Sequence, residues 1–217
     1  MTIPTERYID QKARWPSSGR HILASFDDQT VVVYQAYSPV IGLYAVRNGG
    51  FGGEFSYTRM SWIKPNFLWM MYRSNWGRSS GQEVVLAIRL RRTFFDSLLE
   101  RAIPSSFTPA LFATHADWKS AVARSDVRLQ WDPDHRPNGE KDERRAIQIG
   151  LRGATLEAFG KREIVEIEDM TEFATSQRTY AVEGPLEELV TPLERPYLPS
   201  QDSIARKIGL ETNAATE

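Results

Sequence analysis

The sequence predicts a single α+β domain, with a mixed or antiparallel central sheet, flanking helices and an extended C-terminal tail. Three observations predict it. Strand-like and helix-like stretches alternate as β-α-β-α-β-α, then give way to strands separated by short helices. The 217 residues, 41% hydrophobic and 25% charged, suit one globular core. From Gly184 onward the composition shifts to prolines (Pro185, Pro192, Pro196, Pro199) and a polar end. The chain therefore divides into a polar N-terminal arm (1–20), the domain (21–183) and a proline-rich tail (184–217).

The elements follow in order. The arm ends in Pro16-Ser17-Ser18-Gly19, a loop signature. Residues 30–36, TVVVYQA, are β-branched and aromatic, a strand buried on both faces. Ser38-Pro39 opens a helix that Gly49-Gly50 ends. Residues 49–53, GGFGG, follow a helix rather than precede one, so they read as a hinge or turn in preference to a phosphate loop. Residues 55–63 read as a second strand. Pro65 suits the first turn of a helix with Phe67, Met70 and Met71 on one face. Residues 83–90 alternate as a third strand, and Thr93 caps a helix to Ala102. A short helix at 117–124 precedes a strand at 127–131, which Trp131-Asp132-Pro133-Asp134 turns into a polar loop. Strands at 146–151 and 163–168 flank a short helix near 155–159. In the tail, 204–210 is a short amphipathic piece suited to docking.

Composition excludes several functions. The 27 basic and 28 acidic residues nearly cancel, so no bulk positive field exists to grip nucleic acid, though local basic patches remain possible. With no cysteine there is no disulfide, thiolate metal site or cysteine nucleophile. His21, His115 and His135 are isolated, so no metal is expected. GxSxG, P-loop and dinucleotide motifs are missing, and no cofactor is expected. The N-terminus is mixed and charged, unlike a signal peptide. No apolar run approaches the roughly 18 residues of a membrane span. A cytoplasmic protein is the expectation.

The segment 60–77, MSWIKPNFLWMMYRSNWG, holds half of the 6 tryptophans and three of the 5 methionines, around Lys64 and Arg73. On a strand, Tyr57, Arg59 and Ser61 share one face while Met60 and Trp62 share the other. Lys64 sits at a strand-to-helix junction, where a helix N-terminus offers free N–H groups. Arg59, Lys64 and Arg73 thus suit a phosphate or the 3′ end of a nucleic acid, with Trp62, Trp69 or Trp76 to stack a base. The same aromatics also read as core filling, with cations snorkelling past them. Arg89-Arg91-Arg92 and Arg144-Arg145 are further basic clusters. Glu166 and Glu168 alternate on one strand face, about 7 Å apart, a pair that can clamp a guanidinium or supply a base. Asp96 and Glu100 lie four apart on one side of their helix.

The blocks VVYQAYSP, FSYTRMSWIKPNFLWMMYRSNW, EVVLAIRL, VRLQWDP and AIQIGL, in this order from about Ile22 to Thr171, resemble the family catalogued as domain of unknown function 4291. Fungal members of that group are similar to arginine-containing cyclodipeptide synthases, which close two aminoacyl groups from charged tRNAs, one of them arginyl, into a diketopiperazine. The resemblance implies an aminoacyl transferase whose partners are arginyl-tRNA and a second charged tRNA, with no ATP site. On it, Arg59, Lys64, Arg73 and Trp62 hold the tRNA end, and Glu166 with Glu168, or Asp96 with Glu100, receives the guanidinium. Tyr57 or Ser61 relays a proton or carries the acyl group. Two rivals stand beside it. The coarse element order also resembles that of ADP-ribosyltransferases; on that analogy Gln35 stands in the place of their usual His or Arg, Tyr57 or Ser61 takes the middle position, and Glu168 is the catalytic glutamate. A non-catalytic RNA-binding module would use the same surface.

Overall fold

In the computed structural model, which describes residues 3–211, the chain opens with β1 (Thr5–Arg7), α1 (Tyr8–Lys12), β2 (Gly19–Arg20) and β3 (Leu23–Ala24). The first long elements follow: β4 (Thr30–Tyr37), α2 (Pro39–Asn48), β5 (Ser61–Ile63), α3 (Phe67–Ser74), β6 (Val84–Arg91) and α4 (Arg92–Arg101). Then come β7 (Ile103–Pro104), α5 (His115–Arg124), β8 (Val127–His135), β9 (Lys141–Leu151) and α6 (Gly153–Ala158). A π-helical turn (Phe159–Glu163) leads to β10 (Ile164–Asp169) and α7 (Thr171–Glu183). β11 (Val190–Pro192), β12 (Arg195–Pro196) and α8 (Asp202–Ile208) close the described chain.

β10, β6 and β4 pair antiparallel in that order. Tyr34 of β4 then exchanges both backbone hydrogen bonds with Lys64: Tyr34 N–H donates at 2.7 Å and Lys64 N–H at 3.2 Å. This bridge joins the first sheet to a second, in which β5 and β8 flank β9 antiparallel while β2 and β7 add parallel edges. The result is one curled mixed sheet.

Two apolar layers cover it. Val31, Val33, Leu86, Ile88 and Leu90 face a core shared with Ala45, Phe95, Leu98, Leu156 and Ile204. Val32, Tyr34, Val85 and Ala87 face the other, with Tyr8, Phe67, Met71 and Ala174. Burial on both faces is why residues 31–34, VVVY, show no alternation of apolar and polar side chains. Each such large side chain contributes about 1.5–3 kcal/mol. Among the described residues, no helix is long and apolar enough to cross a membrane.

The expected elements differ in four places. β5 keeps only the last three residues of the predicted 55–63 strand. Phe51 and Phe55 upstream turn inward and stack on each other at 4.5 Å, which fixes the backbone as a loop. β8 runs on through Pro133 to His135, because a register shift there lets the ladder do without a proline N–H. α7 was not foreseen; it buries Ala174 and Ala181, small residues that leave no strong apolar period. The arm and tail are extended in part but tied down. β11 pairs with β1, β12 with β3, and α8 packs on α4.

Candidate functional site

Where β4 ends and β5 begins, the curl of the sheet leaves a cavity of about 450 Å³. β4 contributes Gln35 and Tyr37, two apart and therefore on one face. β5 contributes Ser61 and Trp62, the loop before it Glu54 and Arg59, and α3 contributes Arg73 from its last turn. Lys64 lies at the inner end.

Lys64 is 6% exposed, and its Nζ makes no hydrogen bond or ion pair among the described residues. Burial lowers its pKa to about 8; Arg73 pushes it the same way and Asp132 opposes. An amine held this way has no counter-charge of its own and faces a cavity. Arg59 and Arg73 are exposed at the mouth. Among the described residues, Glu54 is the only carboxylate in the lining. The cavity is therefore net positive.

The lining of the same cavity also holds a hydrogen-bonded hydroxyl. Gln35 Nε2 donates to Ser61 Oγ at 2.7 Å and to the Trp62 carbonyl at 3.1 Å. The Tyr37 hydroxyl shares a 2.7 Å bond with Ser61 Oγ. Burial pushes the Tyr37 phenol far up, so it stays protonated and available as a donor. Gln35 Oε1 is buried without a partner. Trp62 lies against Gly150 of β9, where an added Cβ would sit 3.0 Å from the indole. Only glycine leaves room for the ring there.

The chain matches the family described as Domain of unknown function (DUF4291) over residues 21–197. It belongs to the DUF4291 family. Among curated proteins, none matches the chain.

In this DUF4291 domain the cations named from sequence meet as expected: Arg59, Lys64 and Arg73 share one cavity with Ser61 and Trp62. The other expected residues lie elsewhere. Tyr57 turns away, its hydroxyl donating to the Phe51 carbonyl at 2.9 Å and its ring lying beneath Lys161. Glu168, Ala87, Tyr34 and Lys64 form one cross-strand row. That puts Glu168 three strand spacings from Lys64, about 14 Å at roughly 4.8 Å each. Glu166 does meet a guanidinium, but that of Arg89, at 3.5 Å. Asp96 accepts from the Tyr197 hydroxyl and from Ser200 N at 3.0 Å, anchoring the segment before α8. It lines, with Glu100, a separate recess. An ADP-ribosyltransferase triad would need Glu168 beside Gln35 and Ser61; only the latter two meet.

Three further expectations change. The N-terminus of α3 is not open to a ligand. Glu194 Oε1 accepts from Phe67 N at 2.7 Å and Oε2 from Asn66 Nδ2 at 3.1 Å, so the chain's own carboxyl group occupies the position a ligand would need. Trp69 and Trp76 are buried; Trp69 stacks on His135 and Tyr72 with centroids 5.1 and 5.5 Å away. Arg144 is committed to a buried pair with Asp134, donating from Nε at 2.8 Å and from Nη2 at 2.6 Å. Sequence reasoning missed Tyr37 as part of the site. Its spacing of two from Gln35 at the strand end was the available signal. Among the described residues, no group of three His, Asp or Glu is arranged to hold a metal.

Proposed function

We propose that the protein is a tRNA-dependent cyclodipeptide synthase, joining an arginyl and a second aminoacyl group from charged tRNAs into an arginine-containing diketopiperazine, with its chemistry in the Lys64 cavity. The observation that carries this reading is Lys64: a charged amine kept almost wholly buried, unpartnered, and facing a space large enough for a side chain and an ester. An aminoacyl ester is already activated, so the reaction needs positioning, charge stabilisation and a proton path. The amine of one aminoacyl group attacks the ester carbonyl of the other. A C–N bond forms, the C–O bond to the ribose breaks, and the 3′ oxygen leaves with the proton the amine gives up. A second, intramolecular attack closes the ring and releases the other tRNA.

The cavity offers a group for each task. Arg59 and Arg73 at the mouth face the terminal phosphates, and Trp62 offers a ring to the terminal base. Lys64 stabilises the carbonyl oxygen as it turns negative. Ser61, held by Gln35 and Tyr37, passes the proton. Glu54 is the carboxylate placed to take a guanidinium, in place of the pairs expected from sequence.

The test is direct. The protein is expressed in a bacterial host and the medium is examined by mass spectrometry. An arginine-containing diketopiperazine is expected from the unaltered chain, with at least about a hundredfold less from Lys64→Met and Ser61→Ala, the range seen when a proton-transfer or oxyanion group is removed. Soluble, folded protein that yields no such product ends the proposal. Equal retention of charged and uncharged tRNA without product would point to a binding module.

A further inference from the structure

A second cavity, of about 340 Å³, lies between α8, the start of the β7–α5 loop and β8. Its floor is apolar, made by Leu129, Trp131 and Ile208. Its charged lining is all of one sign: Arg20, Arg206 and Lys207 reach it, and among the described residues no carboxylate does. Lys207 is engaged, donating to the Glu100 carbonyl. The side chains of Arg20 and Arg206 make no hydrogen bond or ion pair among the described residues. Several arginines beside the sheet are committed to partners of the fold. Arg144 holds Asp134, Arg128 and Arg152 bond carbonyls at the end of α5, and Arg91 bonds the Arg162 carbonyl. What sets this cavity apart is two exposed guanidiniums at the rim of an apolar floor with no carboxylate in the lining.

A bare inorganic anion would satisfy the guanidiniums and leave the floor wet. A neutral hydrocarbon would do the reverse. We infer that this cavity binds an amphipathic monocarboxylate, its apolar body on Leu129, Trp131 and Ile208 and its carboxylate toward Arg20 and Arg206. Guanidinium and carboxylate match in shape as well as charge. At about 30 Å³ for each water-sized atom, the space holds on the order of ten non-hydrogen atoms. The Trp131 indole N–H donates to the Ile208 carbonyl at 2.9 Å, so a ligand on this floor lies against the latch that holds α8 to β8. Occupancy clamps the C-terminal helix. The site is independent of the Lys64 cavity and of the activity proposed there.

Calorimetric titration of the full chain with octanoate, and with octanol as its uncharged match, decides the matter. Octanoate is expected to bind at least about tenfold more tightly than octanol, the scale of charge-assisted hydrogen bonds. The Arg20→Ala, Arg206→Ala double variant changes two exposed side chains and is expected to bring octanoate down to the level of octanol. Lys64→Met, in the other cavity, is expected to leave octanoate affinity unchanged. Equal binding of octanoate and octanol, no octanoate binding at millimolar concentration, or undiminished binding by the double variant would each overturn the inference.

Discussion

Lys64→Met measures what the buried amine costs the fold. Methionine keeps the length and the apolar stem and removes the charge. Burial first, then Arg73, lower the amine from its ordinary 10.5 to about 8. At about 1.36 kcal/mol per pH unit of difference, the folded state loses about 3 kcal/mol wherever the amine is charged in both states, which is below pH 8. Between pH 8 and 10.5 the unfolded chain holds a proton that the folded chain has released. Stability therefore rises with pH across that window, and the cost is gone above 10.5. The methionine variant has no such proton. In urea unfolding at pH 7 it is expected to exceed the unaltered protein by up to about 3 kcal/mol. The two should converge as the pH climbs to 10.5. Tyrosines that titrate at high pH are common to both chains and cancel in the difference. A variant that gains stability while losing product would show a charge held for a ligand rather than for the scaffold. A gap that does not change with pH, or a methionine variant less stable than the unaltered chain at pH 7, would refute the reasoning.

Three stability changes follow from the surroundings of the site. Asp134→Ala strands the buried Arg144 guanidinium and is expected to cost about 3–5 kcal/mol in urea unfolding. Gly160→Ala places a Cβ 2.4 Å from the Tyr57 hydroxyl and so breaks the Tyr57 bond to the Phe51 carbonyl. A loss of about 1–3 kcal/mol is expected, and a second substitution, Tyr57→Phe, should recover part of it. Burial pushes the Glu194 carboxyl well above the usual carboxylate range, so its ionised form weakens the fold as pH rises through that raised value. Glu194→Gln keeps an acceptor for Phe67 N and is expected to be at least as stable as the unaltered chain at pH 7, whereas Glu194→Ala should lose about 1–3 kcal/mol.

Local chemistry was legible in the sequence and long-range placement was not. β4, α2 and β6 could be read because their signals lie within the element: a β-branched run, a Ser-Pro opening with a Gly-Gly stop, and strict alternation. β8 through Pro133 could not, because a proline inside a strand is permitted only by a register shift against β9, a partner chosen by the fold. α7 hid for a related reason. Its inward positions are alanines, and what holds it is Thr171 accepting from Val85 N at 3.0 Å across 86 residues of chain.

The same division runs through the site. Arg59, Ser61, Trp62, Lys64 and Arg73 fall within fifteen residues, so one strand, one helix and the short segments beside them suffice to bring all five to one cavity. The acids come from distant elements, and they are taken up by partners within the fold itself. Glu166 goes to Arg89, Asp134 to Arg144, and Glu194 to the start of α3. The first two settle buried or half-buried guanidiniums that would otherwise weaken the scaffold, and Glu194 accepts from the amides that open α3. Lys64 is the position left unsettled, with Asp132 near enough to ease it but not to pair with it. Buried Arg144 is paired with Asp134 and buried Arg128 is bonded to carbonyls, whereas this amine faces a positive cavity with neither kind of partner, which is the arrangement the proposed aminoacyl transfer would require of it.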